Sequence, residues 1–183
     1  MKKIIICTLV TVSLAGCIQR GHYNNPSNPS EDAAQMLKAS RKANVDNPTG
    51  IPDKLEDMEA MINNASRHIN RSAFSPSQQA LCDVKMPQDV QTILPSRFKS
   101  AGVTDAMMKD PMYQRATKLF ASMTTVACYN GAADAKRGNI DASIAKQATL
   151  AEARKQVLTQ DDEMSIMGME LGISAYHTGY ISK

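Results

Sequence analysis

The chain has 183 residues, 43% of them apolar and 21% charged, with Lys plus Arg at 21, Asp plus Glu at 18 and a formal charge of +3. That length and apolar share suffice for one core of ordinary size, and so slight a charge excess excludes the clustered basic face that nucleic-acid binding needs. Tryptophan is absent and methionine numbers 12, so interior gaps are filled more by a flexible thioether than by rigid aromatics.

The chain begins with Lys2 and Lys3, followed by an apolar run from Ile4 to Ala15. About a dozen apolar residues make the core of a signal peptide and are too few to span a bilayer. Residues 1–16 are therefore expected to be cut away, which removes both lysines and leaves the remainder close to neutral. The run ends in Leu14-Ala15-Gly16-Cys17, which resembles the lipobox of bacterial lipoproteins. The resemblance implies that Cys17 is acylated and becomes the new N-terminus, so that the protein is anchored to a membrane without crossing it. Each buried methylene adds about 0.8 kcal/mol, so two or three acyl chains make detachment negligible. Ile18 stands where an aspartate commonly signals inner-membrane retention in such lipoproteins, and the resemblance thus implies the outer membrane with a periplasm-facing body.

Of the four cysteines, Cys7 leaves with the leader and Cys17 carries lipid. Cys82 and Cys128 remain as a pair in an oxidising compartment and are expected to form a disulfide. The closed loop is long enough for a loop-entropy contribution of roughly 4 kcal/mol. A metal site or a catalytic thiol would need companions, and His22, His68 and His177 sit at no ligand spacing to either cysteine. No metal and no cofactor is expected.

Residues 17–52 are rich in Asn, Pro, Ser and Gly, as in NNPSNPS and VDNPTGIP, and read as a flexible tether. Such a leash spans about 30 Å as a coil and about 100 Å when stretched. Within it, Ala33 to Ala43 follows Glu31-Asp32 and suits a short helix that alone would be marginal.

From residue 53 to 183 the pattern predicts an all-α bundle. Leu55, Met58, Ile62, Ala65 and Ile69 recur at helical steps on one face. Ser75-Pro76 marks a second start leading to Cys82, and a third helix begins near Pro87 with Val90, Ile93, Leu94 and Phe98, where Pro95 must kink or divide it. Gly102 stops this helix, and Thr104 suits a cap for a short following turn. The clearest element opens at Asp110-Pro111 and runs to about Arg137, with Met112, Ala116, Leu119, Met123, Val126, Asn130 and Ala133 alternating steps of four and three. Such a stripe belongs between other helices. A further helix starts near Ile140 or Asp141 and loses regularity after Thr159-Gln160. The tail beyond Asp161-Asp162-Glu163 fits a strand and a helix equally; a helix is favoured because no other segment offers a strand partner. Gly168 and Gly172 have a GxxxG spacing that reads as close packing or chance.

No GxSxG, HExxH or GxxxxGK pattern occurs, and no catalytic residue is expected. The stretches MEAMINNASRHI, LCDVKMPQDV and YQRATKLFASMTTVACYNGAADAK, within residues 55–137, resemble the pilotins of type II secretion systems. That family binds a helical tail of a secretin subunit in a groove between its helices and carries it to the outer membrane. The resemblance implies an accessory or assembly role in an envelope secretion, conjugation or pilus machine, played by binding a protein partner. The match departs in the long leash and in the residues after Gly138. If a groove exists, Met58, Met61, Phe120 and Met123 are the expected contacts, with core packing as the plain alternative. A surface-exposed lipoprotein acting in exclusion or host contact is the other reading.

Overall fold

The computed structural model describes residues 28–46, 51–157 and 160–182, so Cys17 and the signal segment lie outside the described residues. All regular structure among the described residues is helical, as the periodicity predicts. Part of the stretch read as a leash is a helix. α1 spans Pro29–Asp46: the Asn28 side chain accepts from the Ser30 N–H at 3.1 Å, and Glu31 and Asp32 occupy the first turn. Asparagine before proline is a helix start as well as a loop signal, and acidic residues favour the positive end of the helix dipole. What a marginal helix lacks by itself, packing supplies. Ala33 and Leu37 are 0% and 1% exposed against two later helices.

α2 spans Ile51–Arg67 and buries Met58 and Ile62. Arg115 from a later helix clamps Glu59 through two hydrogen bonds of 2.6 Å, and this bidentate contact holds the Glu59 carboxyl below its ordinary pKa against the opposing effect of burial.

α3 (Pro76–Gln79) starts at Ser75, whose hydroxyl accepts from the Gln78 N–H while the Gln78 side chain returns to the Ser75 N–H. This capping box satisfies two amides that the first turn leaves open. α3 does not stop before α4 (Met86–Ser100); a wide turn over Ala80–Lys85 joins them, in which the Met86 N–H reaches the Leu81 carbonyl. Pro87 explains it. A proline ring clashes with the carbonyl four residues back and removes an N–H, and a widened turn relieves both. Pro95 lies inside α4 on an exposed side and does not divide it. Gly102, at φ 83°, reverses the chain into α5 (Asp105–Met108), which Thr104 caps.

α6 (Pro111–Lys136) is the axis of the bundle, capped by Asp110 with Pro111 in its first turn. It buries Ala116, Leu119, Met123 and Val126 of the expected stripe, leaves Met112, Asn130 and Ala133 half-buried, and buries also Tyr113, Phe120, Thr124, Ala127, Cys128, Tyr129 and Gly131, so that most of the circumference of its C-terminal half is covered. α7 (Ala142–Lys155) is capped by Asp141, and the tail forms α8 (Gln160–Ile181). α6 and α8 run the same way. Met167 and Leu171 share a core with Phe120 and Met123, while Tyr176 and Gly179 meet Cys128 and Gly131 further along both helices.

At that crossing the two backbones touch. A Cβ on Gly131 would stand 1.9 Å from the Tyr176 carbonyl oxygen, and one on Gly179 would stand 1.9 Å from that of Cys128. Only glycine permits such approach. α2 and α4 pack on one side of α6, and α1 and α7 close over α8. Large side chains fill the first side, with Phe98, Phe120, Met58 and Met123 each at most 2% exposed.

Candidate functional site

Cys82 and Cys128 are bonded, with S–S 2.01 Å, Cα–Cα 5.5 Å and a sequence separation of 46. The widened turn carries Cys82 against the side of α6. The next residue, Asp83, accepts from the Tyr129 hydroxyl at 2.6 Å and from Arg71 Nε at 3.1 and 3.2 Å. The Arg71 guanidinium also lies over the Tyr129 ring at 5.4 Å, and Phe74 packs edge-on at 4.9 Å. Burial, followed by the hydrogen bond to Asp83, pushes the Tyr129 phenol well above its ordinary pKa. Disulfide, carboxylate and ring thus fasten the α3–α4 turn to α6 at one place.

A second polar joint, close by, holds the C-terminal part of α8. Tyr176 donates to Asp134 at 2.8 Å, Tyr180 donates to the Asn139 carbonyl at 2.7 Å, and Arg137 and Asn139 also donate to Asp134. Burial by itself would raise the Asp134 carboxyl, but the hydrogen bonds from Tyr176, Asn139 and Arg137 together outweigh it and hold the pKa down. Asp141 behaves alike: burial opposes, while Ser143 and then His177 prevail. His177 Nδ1 lies 2.7 Å from Asp141 Oδ2 and 3.2 Å from Ser143 Oγ.

Serine, histidine and aspartate in contact invite comparison with a nucleophilic triad. The geometry differs: a relay needs the acid on one ring nitrogen and the hydroxyl on the other, and here both face Nδ1. Ser143 is, moreover, 0% exposed. The group works as a joint between α7 and α8. His68 is exposed, with Nδ1 2.7 Å from the Asn64 carbonyl. Among the described residues no three His, Cys, Asp or Glu side chains gather as metal ligands would.

Of the four residues named for partner contact, Met58, Phe120 and Met123 are 1%, 0% and 1% exposed and belong to one continuous core. As folded they offer no surface. Met61, one helical step away on the outer side of α2, is 39% exposed. A recess that the described residues do form lies elsewhere, between α4 and α8. It encloses about 320 Å³ with apolar walls from Leu81, Met86, Val90, Ile93 and Leu171, and the Lys85–Asp89 pair at 2.5 Å and Ser174 at its rim. Ile93 is 39% exposed and Val84, on the joining turn, 50%. The sequence signal was a surplus: α4 carries Ile93 beside the inward Val90, Leu94 and Phe98, one apolar residue more than its buried face uses.

No family model, no curated protein and no solved structure matches the chain. No described helix is long and apolar enough to cross a membrane.

Proposed function

We propose that this chain is an outer-membrane-anchored, periplasm-facing lipoprotein that serves as an accessory or assembly component of an envelope secretion, conjugation or pilus machine. It acts by binding a partner protein and not by catalysis. One observation carries the reading: Leu14-Ala15-Gly16-Cys17 stands directly behind a charged tip and a short apolar run. The Cys82–Cys128 bond supports an oxidising compartment. The partner contact falls to the α4–α8 recess, whose place between two helices and apolar walls suit the nonpolar side chains of an amphipathic segment, as from a secretin-like subunit.

Two measurements test this. Cys17→Ser releases the body into the soluble periplasmic fraction, and a variant that still floats with membranes refutes the anchor. Crosslinking in intact envelopes captures a partner, and Ile93→Glu reduces its yield about tenfold, since it places a charge on an apolar contact. Unchanged yield from a folded Ile93→Glu protein removes the recess from the reading.

A further inference from the structure

α7 is apolar on two sides, and the bundle uses one of them. Ser143, Leu150 and Ala153 point inward. On the opposite side Ile144 is 65% exposed, and the exposed Ala148 and Ala151 continue its line at steps of four and three, while Ile140, just before the Asp141 cap, is 86% exposed. These two isoleucines are the most exposed large hydrophobics among the described residues. The line holds no charged side chain from Ile144 to Ala151, and Lys155 ends it.

The start of α1 fixes where the N-terminal segment joins the body. Gln156 Nε2 donates to the Ser30 carbonyl at 3.3 Å, so the chain before Asn28 meets the body beside the C-terminal end of α7. The stretch from Cys17 to Asn28 spans at most about 40 Å, and α7 is about 21 Å long. Lipid at Cys17 thus keeps the whole outer line of α7 within reach of the bilayer surface. A second copy or another protein would have to find that line by diffusion; the membrane is already there.

We propose that the outer line of α7 rests on the bilayer, with Ile140 and Ile144 entering the boundary between headgroups and acyl chains. The inference rests on the reading of Cys17 as acylated. A helix with one apolar ridge lies in the interface plane, and tethering raises the effective concentration of the surface so far that a small contact suffices. Lys155 then extends along the surface to reach the headgroups. The body is thereby oriented and not merely leashed.

The absence of tryptophan makes the test clean. Full-length lipidated protein carrying Ile144→Trp is incorporated into vesicles of phosphatidylethanolamine and phosphatidylglycerol, with and without brominated acyl chains. A matched protein carries Val84→Trp, on the turn before α4, which packs on α3, α4 and α6. The Ile144→Trp signal is expected to shift to the blue and to lose about half its intensity to bromine, while Val84→Trp is unaffected. Adding Ile140→Glu, a change at an exposed position that leaves the helical signal intact, restores the Ile144→Trp emission. Protein that fails to float with the vesicles overturns the anchor and this inference together. Protein that floats but shows no quenching at Ile144→Trp overturns the α7 face alone, as does equal quenching at both sites. A blue shift without quenching assigns the ridge to protein contact and overturns the inference.

Discussion

On the α2–α4–α6 side, Phe98, Phe120, Met58 and Met123 interlock around a central helix, and a disulfide fastens the corner where α3 turns into α4. The α1–α7 flank covers α8 with far less: Ala33, Leu37, Leu150 and Ala153 supply most of its inward surface. The first side is held by bulk and a covalent link. The second is held by small residues, a few hydrogen bonds and the short connection through Asn139 and Asp141, and it carries the two most exposed isoleucines, Ile140 and Ile144. The heavier half thus works as a frame that leaves Val84 and Ile93 exposed beside its recess, and the lighter half leaves Ile140 and Ile144 outside.

The contrast breaks most severely where the halves meet. Gly131→Ala or Gly179→Ala forces a Cβ into a backbone carbonyl that no rotamer can move, so α6 and α8 must separate. A loss of about 4 kcal/mol or more is expected in denaturant unfolding, larger than ordinary overpacking because backbone meets backbone. Next comes the asymmetry itself. Phe120→Ala, in the heavy core, should cost about 4 kcal/mol and Leu37→Ala, at the light flank, about 2 kcal/mol, because the flank can collapse onto the space left behind. Equal losses in urea titrations would show that the two sides share one core.

The disulfide follows. Replacing both Cys82 and Cys128 with alanine should cost about 3 kcal/mol and lower the thermal midpoint, with α1 and α7 melting no earlier than in the parent. The smallest effect concerns acid. Asp134 and Asp141 have folded pKa values below the ordinary 3.8, so the folded state binds fewer protons than the unfolded one near that pH. Their contribution is present above pH 3.8 and is lost as pH falls through the lowered values. Asp134→Asn should cost about 1 kcal/mol at neutral pH, the worth of a weakened hydrogen-bond group, and should flatten this acid slope. An unchanged slope would place the acid sensitivity elsewhere.

Much of this was legible in the chain. Ser75-Pro76, Thr104 and Asp110-Pro111 begin helices where capping chemistry says they must, because a cap is a local matter of one side chain and two or three amides. The stripe from Met112 to Val126 gave the inner face of α6 for the same reason, since periodicity survives any neighbour. The tail's helix was a choice between two equal patterns, and it was settled by the absence of strands elsewhere. α1 was legible as a short helix over Ala33 to Ala43, marginal by itself, but not as a docked one, because Ala33 and Leu37 find Leu150 and Ala153 far along the chain. The glycines that mattered, Gly131 and Gly179, carried no spacing signal, whereas Gly168 and Gly172 did. His177 looked isolated because its partners Asp141 and Ser143 lie on another helix.

The candidate site divides in the same way. Cys82 and Cys128 could be paired from count, once the sequence reading assigned Cys7 to a leader and Cys17 to lipid, and the bond between them is present. Met58, Phe120 and Met123 could not be assigned to core or groove, because an apolar residue at helical spacing serves both equally. Which side of a helix faces another helix, and which is left over, depends on partners distant in sequence. The sequence by itself determined the helices, their caps and the cysteine pairing, all of which follow from short-range chemistry. Only the tertiary structure decided that α1 is docked, that α6 and α8 touch backbone to backbone, and that Ile93, Ile140 and Ile144 remain outside. Exposure is a property of the packed whole: it is set by what each face fails to meet.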